Sequence, residues 1–96
     1  MLKDETLRKL MEHRKEIEAM GVKSVSIFGS TARDEAGAES DVDVLVEFSE
    51  PVGLFRFLEV KAALEAILGR GVDMVTPDAL KRQIRPRVLK EAVRAI

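Results

Sequence analysis

Asp41 and Asp43 stand one residue apart at the head of the run DVDVLVEF, residues 41–48. A strand turns its side chains to alternate faces, so residues two apart point the same way. Asp41, Asp43, Leu45 and Glu47 then share one face, while Val42, Val44, Val46 and Phe48 share an apolar face that suits a core. Two neighbouring carboxylates repel, and a cation between them removes that cost. Hard cations such as Mg2+ take such oxygens, with one or two carboxylates and the phosphates of a substrate as the usual ligand set.

Two further features bear on the pair. Gly29-Ser30 follows a β-branched run and precedes a short polar segment, with ten residues between Ser30 and Asp41. Gly29 allows close backbone approach, Ser30 adds a hydroxyl, and a helix starting there would offer free N–H groups to a phosphate. Asp73 alternates with Val72 and Met74 in a later short run. Three carboxylates opposite a phosphate-binding turn suit two-metal phosphoryl transfer, and the set reads as a site for nucleotidyl transfer from a nucleoside triphosphate. Each piece has a plainer reading: an accidental Asp-x-Asp among 17 acids, a simple Gly-Ser turn, an edge or ion-paired Asp73. The ordered set carries the functional reading. An EF-hand reading of the acidic stretch fails, because no glycine stands at the sixth loop position.

The elements that must position these residues follow from periodicity. Residues 3–20 read as one helix, with Leu7, Leu10, Met11, Ile17 and Met20 near one face and Gly21 as its stop. Residues 22–28 read as a strand. Ser30 suits the N-cap of a short helix over residues 31–36, with Gly37 ending it and a polar loop over residues 37–40. Residues 42–48 form the second strand. Residues 52–68 read as a long helix, apolar on more than one side and so expected to be the most buried. Residues 71–75 give a third strand. Thr76-Pro77-Asp78 starts a helix over residues 77–84, and Pro86 separates it from another over residues 86–95, whose stripe is Val88, Leu89, Ala92, Val93 and Ile96.

The expected fold is therefore α/β (α+β): a small three-stranded mixed sheet packed with helices, in one domain spanning residues 1–96. If Gly29-Ser30 and the Asp pair act on one ligand, strands one and two are antiparallel. The long helix is a sufficient crossover for strand three to run parallel to strand two. Asp73 then comes beside Asp41 and Asp43.

Composition narrows the function classes. The 96 residues are 46% hydrophobic and 34% charged, a globular profile, with no run of 18 apolar residues to span a membrane. The charged start lacks the apolar centre of a signal peptide, and the default location is the cytoplasm. The absence of cysteine excludes disulfides and thiolate sites, and the single histidine, His13, reads as a solvated helix position rather than a catalytic one. Net charge is −1 but uneven. Residues 34–50 hold seven acids and no base, whereas residues 81–96 hold six bases and one acid. The basic tail suits phosphate, nucleic acid or an acidic protein, and equally a solvated helix face. With no Trp or Tyr and only four Phe, base stacking is poorly served, which argues against nucleic acid.

Nearly the whole chain resembles the minimal nucleotidyltransferases (MNT) of the DNA polymerase β-like superfamily. The likeness is strongest in GSTARDEAGAESDVDVLVEF, VDMVTPDAL and RPRVLKEAV. The resemblance implies the polymerase β-like fold and an ATP substrate. It gives Asp41, Asp43 and Asp73 the two Mg2+ ions and the catalytic role, with Asp73 helping to activate the acceptor hydroxyl. Gly29 and Ser30 would contact the triphosphate. Arg33 may by the same likeness be carried over as a phosphate contact, and a surface ion pair is an equally good reading of it. Asp34 departs from the pattern, since many relatives have Gly there. Members of this size are similar to the antitoxins of HEPN–MNT toxin–antitoxin pairs, which implies a HEPN-family toxin as partner. The implied reaction is AMP transfer to a tyrosine of that toxin. A catalytically silent antitoxin that neutralises its partner by contact is the alternative, and a nucleic-acid accessory role is a third reading.

Overall fold

A computed structural model describes residues 2–35 and 41–96. The expected end of the short helix at Ala36 and Gly37, and the loop over residues 37–40, lie outside the described residues. Within them the order is α1 (Lys3–Glu12), α2 (Arg14–Ala19), β1 (Val22–Phe28), α3 (Gly29–Ala32), β2 (Val42–Phe48), α4 (Leu54–Leu68), β3 (Val72–Val75), a 3₁₀ turn (Pro77–Ala79), α5 (Arg85–Glu91) and β4 (Val93–Arg94). The strands form one mixed sheet in the order β3-β2-β1-β4. β1 is antiparallel to β2 and β4, and β2 is parallel to β3.

The α/β expectation holds, with four strands where three were expected. The fourth comes from the chain's last residues. Val93 and Arg94 pair with Ile27 and Ser26 of β1, and the N–H of Ala95 donates to the Val25 carbonyl at 2.8 Å. The apolar stripe expected of a helix to residue 95 is therefore split. α5 stops at Glu91, and the remainder satisfies the open edge of β1, which would otherwise leave a row of backbone groups unpaired. Pro86 lies in the first turn of α5, where its missing N–H costs nothing, and does not divide two long helices. The helix expected over residues 77–84 reduces to the 3₁₀ turn, after which Leu80 is extended.

The first helix is also interrupted. The His13 Nδ1–H donates to the Lys9 carbonyl at 2.9 Å, and the His13 backbone N–H turns to Leu10 at 3.2 Å. The ring thus takes the carbonyl that the backbone would have used, which separates α1 from α2. His13 is half-buried in this role, not a freely solvated position. Leu10 and Ile17, one on each piece, still enter the core.

The sheet has two covered faces. On one, Val25, Ile27, Val42, Val44 and Val46 pack with Leu10, Ile17, Val60, Leu64 and Leu68 of α1, α2 and α4. On the other, Leu45 packs with Leu80 and Val88, with Phe28 and Val75 at their sides. This second cover is short, and it leaves the end of the sheet that carries Asp41, Asp43 and Asp73 uncovered by apolar side chains. No helix among the described residues is long and apolar enough to cross a membrane.

α4 buries more residues than any other described helix, as expected, but along one stripe only. It begins at Leu54, and only Val60, Leu64 and Leu68 are buried. Leu54 and Phe55 are 68% and 85% exposed, and Leu58 is 47% exposed. The apolar residues beyond the core stripe form a bare face. Leu64→Ala should therefore cost about 2–5 kcal/mol through loss of burial and the cavity left behind. Phe55→Ser, on the same helix, should change stability by less than about 0.5 kcal/mol. Urea unfolding of both variants checks the contrast.

Candidate active site

The register of three strands assembles the site. Asp43 lies opposite Phe28, the last residue of β1, and beside Asp73 of β3. Val42 pairs with Val72, and the Val42 N–H donates to the Gly71 carbonyl at 3.0 Å, so Asp41 stands next to Gly71. All three aspartates thus lie at the same end of adjacent strands. Asp43 and Asp73 are in register on adjacent strands, so their carboxyl groups share one face, and the charge of Asp73 acts on Asp43.

Gly29 follows β1 directly and closes the other side. Its φ of +66° is in the left-handed region, and a Cβ there would collide with the Asp43 carboxylate. Any other residue would meet both obstacles. Gly71 has a similar role that the sequence did not reveal. A Cβ at Gly71 would lie 2.5 Å from Asp41 Oδ1 and 3.2 Å from its Cγ. Two glycines therefore make room for two of the carboxylates. Parallel pairing of β2 with β3 was the available signal, because it sets Gly71 level with Asp41.

α3 is one turn, Gly29–Ala32, starting a residue before the expected N-cap at Ser30. Phe28 holds the cap position, and Ser30 falls inside the turn, with its carbonyl accepting from the Glu35 N–H at 2.8 Å. Arg33 ends this turn. Its Nε lies 3.0 Å from Glu35 Oε2, and its Nη1 lies 3.2 Å from Glu91 Oε2 of α5. The hydrogen bond to Glu35 leads the effects that hold the guanidinium more basic than usual, with Glu91 and Asp43 adding to it. The ion-pair reading of Arg33 is thus realised, within the electrostatic reach of Asp43.

Asp34 has φ +57°, a backbone state glycine adopts freely and Asp tolerates better than most residues. Its Oδ1 accepts from the Lys3 N–H at 2.7 Å. Leu2, the cap residue of α1, makes no side-chain cap, so Asp34 satisfies a helix N–H from 31 residues away. The departure from glycine therefore trades some backbone strain for a tie between α1 and the Gly-Ser turn.

The electrostatics centre on Asp43. Burial, then the charges of Asp73 and Asp41, then hydrogen bonding to Asp73 raise its pKa above 3.8, while Arg33 opposes them. Among the described residues no three acidic or histidine side chains form a ready metal-holding cluster. What is present is a hard-oxygen pair with a third carboxylate nearby. That set fits Mg2+, which binds one or two carboxylates together with substrate phosphates and seldom an all-protein cage. A cleft of about 510 Å³ lies elsewhere, between Phe48, Pro51, Val52, Phe57 and Pro77 at the far end of β2, and includes none of the expected site residues.

Strand order, register and the acidic end define a nucleotide-transfer fold, and comparison with known proteins agrees. The nucleotidyltransferase domain family matches residues 7–96, and the chain belongs to that family in its minimal, polymerase β-like form. It is a nucleotidyltransferase. It is similar to the protein adenylyltransferase MntA of Thermococcus cleftensis, with 46% identity over 85 residues, 88% of this chain and 86% of that protein. A solved structure described as a minimal nucleotidyltransferase matches with a TM-score of 0.74 and 38% identity, covering 91% of this chain and 93% of that one. A chain in the structure of a tri-AMPylated Shewanella oneidensis HEPN toxin with its MNT antitoxin matches with a TM-score of 0.68 over 99% of this chain and 72% of that one. At 15% identity that last likeness speaks for the fold alone.

The raised pKa of Asp43 sets a sign for stability. Folded protein retains a proton that the unfolded chain releases, so stability falls as pH rises from 3.8 through the raised value, and the penalty is complete above it. Asp43→Asn removes this penalty and keeps a donor for Asp73. Without divalent ions, the variant should melt with wild type near pH 3.8 and a few degrees above it at neutral pH. Melting curves across that range, read as the difference between the two proteins, test the assignment.

Proposed function

We propose that the chain transfers AMP from ATP to a hydroxyl of a partner protein, a tyrosine of a HEPN-family toxin, and so acts as an antitoxin in the cytoplasm. The observation that carries this reading is the in-register Asp43–Asp73 pair beside Gly29, with Asp41 at the same strand end. The similarity to a protein adenylyltransferase supports AMP as the transferred group and protein as the acceptor. The fold shared with a chain of an AMPylated HEPN complex suggests the kind of acceptor.

In the proposed reaction the acceptor oxygen forms a bond to the α-phosphorus of ATP. The bond from that phosphorus to the oxygen bridging the β-phosphate breaks, and pyrophosphate leaves with its electron pair. Asp73 takes the hydroxyl proton. Asp41, Asp43 and Asp73 would hold two Mg2+ ions, which supply charge stabilisation at the attacking and leaving oxygens. Gly29 and Ser30 align the triphosphate through the backbone of α3, and Arg33 contributes a phosphate contact. Residues 1–96 form one minimal nucleotidyltransferase domain, and the partner's own surface supplies acceptor recognition.

A second reading has its own support. The bare face of α4, with Leu54, Phe55 and Leu58, suits neutralisation by contact. The exposed Ile84 and Leu89, near the basic side chains of the tail, suit it too. Labelled ATP, Mg2+ and the cognate HEPN-family protein separate the two. The toxin should take up label from wild type, and Asp41→Asn/Asp43→Asn should reduce uptake by at least about 100-fold, the scale on which loss of one transition-state contact is felt. Undiminished labelling by the variant would misplace the site. Full neutralisation by an unlabelling variant would favour contact.

A further inference from the structure

Glu91 is the one acid among the six bases of residues 81–96, and it sits between two arginines. Arg33 Nη1 lies 3.2 Å from its Oε2, and Arg87 Nε lies 3.3 Å from its Oε1. Arg33 ends the Gly-Ser turn and acts on Asp43 through its charge. Arg87 belongs to α5 and is otherwise largely exposed. One carboxylate thus contacts two guanidinium groups, and one of them, Arg33, is also held by Glu35 at 3.0 Å and lies within the electrostatic reach of Asp43. Guanidinium groups bind phosphate through paired N–H donors in a fixed fork, and holding them in place lowers the ordering cost of binding.

We propose that Glu91 is a positioning residue that presents Arg33 and Arg87 together to the triphosphate, making α5 part of the nucleotide site. The inference rests on the nucleotidyl-transfer reading above and deepens it. It assigns Arg87 a direct phosphate contact and Glu91 an indirect role through both arginines. It also explains an otherwise unfavourable placement, a negative charge beside an anion site.

The sign of one measurement separates this role from a plain surface charge. Removing an acid near an anion site strengthens anion binding by Coulomb's law alone. If Glu91 positions the arginines, removing it weakens binding instead. Inorganic tripolyphosphate, titrated calorimetrically into the whole chain without divalent ions, is the probe. Glu91→Ala and Arg87→Ala should each weaken binding by about fivefold to tenfold, the size of one charge-assisted contact. The double variant should fall well short of the product of the single effects, because both act through one carboxylate. Arg87→Lys keeps the charge, loses the fork, and should not restore affinity. Arg87 is exposed enough that its variants will fold, and melting curves confirm this for Glu91→Ala. Unchanged or tighter binding by Glu91→Ala or Arg87→Ala overturns the inference while leaving the transfer reading intact. A wild-type chain that binds no tripolyphosphate overturns the inference too, while the transfer reading stands or falls on the labelling of the toxin with Mg2+ present.

Discussion

The structure turns on a repulsion that strand register makes unavoidable. Parallel pairing sets Asp43 level with Asp73, and two-residue alternation puts Asp41 beside them. Burial and the neighbouring charges of Asp73 and Asp41 favour the protonated form of Asp43, and the charge of Arg33 opposes them without removing the repulsion. A site built this way favours a ligand that brings positive charge, so cation binding can draw on energy that folding has already stored.

The surroundings make that crowding sterically tolerable. Gly29 and Gly71 flank the carboxylates from β1 and β3, where a methyl group would press on Asp43 or Asp41. The apolar layers begin only beyond them. Leu45, two residues after Asp43, is already under Leu80 and Val88. The change from polar site to sealed core therefore takes place within one repeat of the pleat. That short distance fixes the base of each carboxylate while its oxygens remain accessible.

Local periodicity made much of this legible. β1 and β2 have the boundaries that alternation indicates, since each buries one face and a one-residue slip would expose it. The gathering of the aspartates followed from topology once β1 and β2 were antiparallel and α4 was a crossover. What local pattern could not show was decided by distant contacts. Val93 and Ala95 fit a helix stripe as well as a strand, and the unpaired edge of β1, some 70 residues earlier in the sequence, selects the strand. The break at His13 depends on which group takes one carbonyl. The apolar side chains at the start of α4 signalled burial, yet the sheet beneath is too small to cover them. Gly71 and Glu91 went unread because their meaning lies in neighbours across a strand pair and between two helices.

The C-terminal segment joins these threads. Val88 seals the second face of the sheet, and Val93 and Arg94 complete its edge. Between them Glu91 reaches Arg33 on the Gly-Ser turn. α5 is seven residues long, is fixed to the core through Val88, and runs directly into the edge strand β4. Among the described residues, the segment that closes the core also sets part of the field around the site.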